Sequence, residues 1–97
     1  MEKNFFVYMM ASEKNGTLYI GVTSNLPKRV WEHKNGVVEG FTEKYDVHNL
    51  VWYEQHDNAE SAIRREKRLK KYPRQWKINL IVEKNAEWND LYDDICQ

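Results

Sequence analysis

The chain has 97 residues, 41% hydrophobic and 31% charged, with 15 basic and 15 acidic side chains in balance. That length supports one domain, which buries roughly 60–70% of the surface its unfolded form exposes, and the composition is globular rather than disordered. No apolar run approaches the ~18 residues of a membrane span, no apolar segment of the secretory kind opens the chain, and the lone Cys96 excludes an internal disulfide; a reducing, cytoplasmic location is the expectation. Three His and one Cys, widely spread, do not make a structural zinc set.

Phe5, Phe6, Val7, Tyr8, Met9 and Met10 form a short apolar run rich in strand formers, which predicts a buried strand. A polar stretch ending in Asn15-Gly16 signals a turn, and Thr17 to Val22 reads as the second strand of a hairpin. Ser24 and Asn25 offer capping side chains and Pro27 suits a first helical turn, so a helix is expected through Leu26, Val30 and His33, with Gly36 closing it. Residues 37–46 read as irregular. Residues 48–56, through Leu50, Val51, Trp52 and Tyr53, read as a third strand. Asp57 to Glu60 resembles a capping box with Asp57 as the cap, and the helix after it carries an apolar stripe at 59, 62, 63, 66 and 69. Tyr72-Pro73 stops that helix, and Pro73 opens another with Trp76, Leu80 and Ile81 on its apolar side. A last short helix is expected within residues 86–95, anchored by Trp88, Leu91 and Tyr92. The order ββαβαα, with a further α, predicts a mixed α/β (α+β) domain: a small sheet covered by helices. All four tryptophans, Trp31, Trp52, Trp76 and Trp88, are expected in the core, although a tryptophan can also stack on a base.

The zero net charge conceals a polarised chain. Residues 62–77 hold Arg64, Arg65, Lys67, Arg68, Lys70, Lys71, Arg74 and Lys77 against Glu66 alone, a balance of +7. Residues 83–97 hold five acids against Lys84, a balance of −4. A basic face of this kind binds phosphate, and the acidic tail is free to lie elsewhere; the competing reading is a solvated helix with long snorkelling side chains.

Several residues invite chemistry. Glu66 falls inside the apolar stripe, where a carboxylate is costly unless paired, so it is either a metal ligand or half of an ion pair, with Lys70 one turn on. Arg29 and His33 share a helix face; together such a pair can hold a phosphate and handle a proton, or be two surface side chains. Tyr8 and Tyr19 lie on the two hairpin strands, where tyrosine packs well but a phenol can also transfer a proton. Gly21 within a strand implies close approach of a backbone or a ligand. The chain has no glycine-rich phosphate loop, HExxH or GxSxG.

Taken together, these residues resemble the GIY-YIG nuclease superfamily. Phe6-Val7-Tyr8 stands where the first motif falls, keeping the tyrosine but not the glycine and isoleucine; Tyr19-Ile20-Gly21 is the second motif intact, at the usual gap. Arg29 and His33 match the family's helix, and Glu66 within Arg65-Glu66-Lys67-Arg68 matches its metal-binding glutamate. Asn79 is a candidate for a late family asparagine. The resemblance covers about residues 5–82 of a single domain, with 83–97 an acidic tail like that of short single-domain bacterial members. It implies a three-stranded, mainly antiparallel sheet flanked by helices. It also implies a metal-dependent endonuclease acting on DNA phosphodiester bonds, in repair, recombination or defence, with one divalent ion (Mg²⁺ or Mn²⁺) on Glu66. In that scheme Tyr8 is the general base, Tyr19 orients, Arg29 stabilises charge on the phosphate and His33 positions or relays a proton. The eight basic residues contact duplex or branched DNA. A monomer or weak homodimer with no membrane contact is expected, and neutralising roughly three to six phosphates gives a salt slope of about −3 to −5. Two other readings are a non-cleaving nucleic-acid-binding module on the same fold and a scaffold that meets a protein partner through the acidic tail.

Overall fold

The computed structural model describes residues 4–37 and 46–96. Its elements are β1 (Phe5–Ala11), β2 (Leu18–Thr23), α1 (Leu26–Lys34), β3 (Asn49–His56), α2 (Ala59–Lys70), α3 (Arg74–Lys84) and the short α4 (Tyr92–Ile95). The strands form an antiparallel sheet in the order β2-β1-β3. The expected order and the three-stranded sheet are therefore observed; most of the stretch expected to be irregular, at 38–45, lies outside the described residues. No helix among the described residues is long and apolar enough to cross a membrane.

β1 is central and apolar throughout because helices cover both faces of the sheet, so each of its alternating side-chain sets is buried. Val7, Met9 and Ala11 point into a first layer with Ile20, Ala62, Leu69 and Ile81. Tyr8 and Met10 point into a second layer with Leu26, Val30, Val47 and Leu50. Strict alternation would send Val51 and Trp52 to opposite faces, yet both pack in the first layer. A bulge is the reason: Met9 pairs with Trp52 and Met10 with Leu50, leaving Val51 as the extra residue.

α1 begins as its sequence predicts. Asn25 Oδ1 accepts from the Lys28 N–H at 3.2 Å, and Thr23 Oγ1 accepts from the Asn25 N–H at 3.1 Å. The helix ends at Lys34, and Gly36 follows with φ of +67°, the left-handed turn that glycine takes without strain. At α2 the cap is Asn58 rather than Asp57: Asn58 Oδ1 accepts from the Ser61 N–H at 2.8 Å, so the helix starts one residue later than a capping box at Asp57 requires. Pro73 separates α2 from α3 as expected.

Two tryptophans depart from the expected core. Trp52 and Trp88 are buried, but Trp31 and Trp76 are 50% and 55% exposed. Trp31 lies on the side of α1 away from Leu26, Val30 and His33, and Trp76 leaves the apolar side of α3 to lean edge-on against Tyr72. The terminal helix is also shorter than expected, covering only Tyr92–Ile95, because Trp88 takes φ of +57°, which a helix does not admit.

The acidic tail is built into the fold. Trp88 packs in the first layer while Leu91, Tyr92 and Ile95 pack on the second. Between them the chain passes the outer edge of β3, where the Leu91 N–H donates to Leu50 O at 2.8 Å and the Leu50 N–H donates to Asp90 Oδ1 at 3.1 Å. Lys34 pairs with Asp90 and lies over the Tyr92 ring, fastening the tail to α1. An exposed strand edge invites pairing with other chains, and this tail covers part of it.

Candidate active site

Tyr8 lies at the middle of the sheet, directly opposite Gly21 on β2 and Tyr53 on β3. Its ring is almost fully buried and lies over Gly21: a Cβ built on that glycine would sit 2.5 Å from the Tyr8 hydroxyl and 2.6 Å from Cζ. The close approach expected at Gly21 is thus made by the Tyr8 ring. The geometry gives the glycine of Tyr19-Ile20-Gly21 a physical purpose, which is to make room for the tyrosine of the neighbouring strand.

His33 enters the same space from α1. It is fully buried, and its Nε2 lies 3.0 Å from the Tyr8 hydroxyl. Ring centroids are 5.6 Å apart for Tyr8 and His33, 5.0 Å for Tyr19 and His33, and 6.2 Å for Tyr8 and Tyr19. Adjacent strands and one helix turn therefore bring three proton-bearing rings together. Arg29, one turn before His33, is half-exposed and 3.6 Å from Glu32.

The electrostatics favour neutral Tyr8 and His33 rings. Burial pushes the Tyr8 phenol well above the usual tyrosine range, the neighbouring Tyr19 adds to this, and the Arg29 guanidinium opposes it. Burial lowers His33 to about 4, helped by the positive charge of Arg29 and then by His48. Tyr8 thus holds its proton and His33 stays uncharged at neutral pH.

Arg29 also lines two adjoining cavities. One, of about 270 Å³, is mainly apolar, lying between Phe5 and Val22 at the open end of the hairpin and Ala59 and Ile63 of α2. The other, of about 170 Å³, is polar and lined by Thr23, Ser24, Asn25, Lys28, Arg29 and Glu32. Thr23, Ser24 and Lys28 went unremarked as site residues in the sequence, where Ser24 reads only as a capping side chain. His48, whose Nδ1 lies 3.2 Å from the His33 carbonyl, carried no sequence signal at all.

Glu66 stands apart from the rings. α2 packs on the first layer, across the sheet from Tyr8 and His33, and Glu66 follows one turn after Ile63, which lines the cavity that Arg29 shares. Its side chain is 15% exposed and its carboxylate is 3.5 Å from Lys70, so the ion-pair reading of the sequence is realised. No other cation among the described residues pairs with Glu66, which leaves a carboxylate oxygen for another partner. Among the described residues no group of three or more His, Cys, Asp or Glu converges to hold a metal. Glu66 thus fits an ion taking one protein carboxylate and otherwise water and substrate oxygens, as Mg²⁺ commonly does.

The basic segment divides by use. Arg65 donates to Glu54 at 3.1 Å and reaches the Tyr72 hydroxyl, and Glu54 also meets His56, so this arginine ties α2 to β3. Arg74 donates to the carbonyls of Asn15 and Gly16 at 2.9 and 2.6 Å, clasping the hairpin turn. Arg64 pairs with Glu60 along the exposed side of α2. Lys67, Arg68, Lys71 and Lys77 form no ion pair among the described residues. Asn79 is exposed on α3, where its Oδ1 accepts from Gln75 at 2.9 Å.

Comparison with known proteins agrees with this architecture. Residues 4–79 match the model of the GIY-YIG catalytic domain, and the chain belongs to that family. Within it, the chain is similar to UPF0213 proteins. It is 34% identical over 83 residues to one from Staphylococcus saprophyticus, covering 86% of this chain and 99% of the relative. It is 36% identical over 90 residues to one from Clostridium perfringens, covering 93% and 96%. The solution NMR structure of a UPF0213 protein from Bacillus halodurans superposes with a TM-score of 0.55 at 26% identity, covering 90% of this chain and 92% of that one.

Proposed function

We propose that this protein is a metal-dependent nuclease that hydrolyses phosphodiester bonds of DNA. The observation that carries the proposal is the buried contact between the Tyr8 hydroxyl and His33 Nε2 beside Arg29. With its imidazole proton on Nδ1, His33 accepts a hydrogen bond from Tyr8 through Nε2. Tyr8 is a poor base alone, since burial holds its proton in place. It acts instead as a relay: it takes a proton from the attacking water while passing its own to His33. His33 is neutral at physiological pH and so open to that proton, and the negative charge of a bound phosphate stabilises the imidazolium that forms.

Arg29 stabilises charge building on the phosphate, with Lys28 lining the same polar cavity. Tyr19, against the His33 ring, orients the acceptor. Glu66 would hold Mg²⁺ or Mn²⁺, which when bound supplies polarisation of the phosphate and charge neutralisation at the leaving oxygen. Lys67, Arg68, Lys71 and Lys77 would contact flanking phosphates.

The test is cleavage of end-labelled duplex, branched and single-stranded DNA by wild type and Glu66→Ala, with Mg²⁺, with Mn²⁺ and with EDTA. The expected result is cleavage by wild type with metal, at least a hundredfold faster than by Glu66→Ala, and none with EDTA. Equal cleavage by both proteins with EDTA present would refute the proposal.

A further inference from the structure

We infer that Trp76, leaning on Tyr72 at the corner between α2 and α3, is a stacking site for an unpaired base of a DNA strand. The inference rests on the nuclease reading and adds to it a substrate form, DNA that is single-stranded where it crosses this corner. Tyr72 packs against the first core layer, and Trp76 meets it edge to face at 5.2 Å with the rings 82° apart. One ring is thereby anchored and holds the other, while 55% of the Trp76 surface stays open to solvent. A tryptophan in a small domain is an expensive side chain to leave in water, and the surroundings indicate what covers it.

Lys71 precedes Tyr72 and Lys77 follows Trp76, with Lys67 and Arg68 on the last turns of α2; these four cations form no ion pair among the described residues. α3 begins at this corner, and Pro73 supplies no side-chain cap to its first turn. An anchored aromatic on a segment whose neighbouring cations form no ion pair among the described residues complements a chain of phosphates carrying flat, apolar bases. A duplex offers the phosphates but keeps its base faces stacked on one another, so it engages the cations and not Trp76. The corner is distinct from the rings of Tyr8, Tyr19 and His33, so loss of stacking leaves the proton relay intact.

The experiment is fluorescence anisotropy in EDTA, where no cleavage occurs. The full chain is titrated onto a labelled oligothymidylate of about twenty nucleotides and onto a fully paired duplex of similar charge, using wild type, Trp76→Ala and Trp76→Phe. Stacking predicts that Trp76→Ala weakens oligothymidylate binding roughly tenfold or more and changes duplex binding less than about twofold, with Trp76→Phe recovering part of the loss. Oligothymidylate binding that is the same for wild type and Trp76→Ala overturns the stacking site and leaves the nuclease reading standing. Wild type that binds neither DNA overturns both.

Discussion

At Gly21 a single missing methyl group makes room for the Tyr8 ring beside His33. The Tyr8 ring occupies the place a Cβ would take, so Gly21→Ala must push a buried ring out of register with His33. The expected cost is about 1–3 kcal/mol in urea unfolding, the range for overpacking a filled core. An unchanged midpoint would show that the ring moves aside freely. The His33 ring makes a prediction of opposite kind, because its proton affinity differs between the folded and unfolded chain. Folded His33 lies at about 4 against an ordinary 6.5. Between those values the unfolded chain binds more protons, so the stability tied to this group is fully present above about pH 6.5 and is lost as pH falls towards 4. Urea unfolding between pH 4.5 and 7 should therefore show a shallower pH dependence for His33→Gln than for wild type. Parallel curves would mean that the buried imidazole does not resist protonation.

Among the elements, the β3 edge and the segment that covers it show how function-like residues serve the fold. Asn85 is buried at the end of α3: its Nδ2 donates to Val51 O at 3.1 Å and to Asn89 O at 2.8 Å, and its Oδ1 accepts from the Asn89 N–H at 3.0 Å. Asn85→Ala strands buried polar groups on β3 and the tail and should cost about 1–3 kcal/mol by thermal or urea unfolding. Asn79→Ala, on an exposed turn of the same helix, should stay within about 0.5 kcal/mol of wild type. Equal effects would show that the Asn85 hydrogen bonds to Val51 and Asn89 do not hold the tail on β3. Sequence periodicity found the strands and the start of α1 because capping side chains and apolar alternation are local signals, while the α2 cap fell one residue later than expected and the last helix began only at Tyr92. It missed the Val51 bulge, since an extra residue in a run of apolar ones looks the same on either face. It placed Trp76 in the core because hydrophobicity alone does not say whether a ring is covered.

Over the whole molecule, two core layers on one sheet separate the two halves of the candidate site. Tyr8, Tyr19 and His33 lie on the α1 face and Glu66 on the helix of the other face, with Arg29 and Ile63 lining a common cavity at the open end of the hairpin. The residue types were legible because their spacing along the chain resembles a known family. Their unequal settings were not: the burial that keeps Tyr8 and His33 neutral arises only when β1, β2 and α1 close together. The same holds for charge, where a +7 segment reads as uniform in sequence but gives Arg65 and Arg74 to the fold. In the proposed reaction Tyr8 and His33 act as one proton-transfer unit. The direct measurement is the single-turnover cleavage rate of a labelled DNA strand at saturating protein and Mg²⁺, for wild type, Tyr8→Phe, His33→Gln and the double variant. We predict that each single change slows cleavage about a hundredfold or more and that the double variant is scarcely slower than either, as for groups that work together. A Tyr8→Phe protein that cleaves at the wild-type rate would rule out that unit.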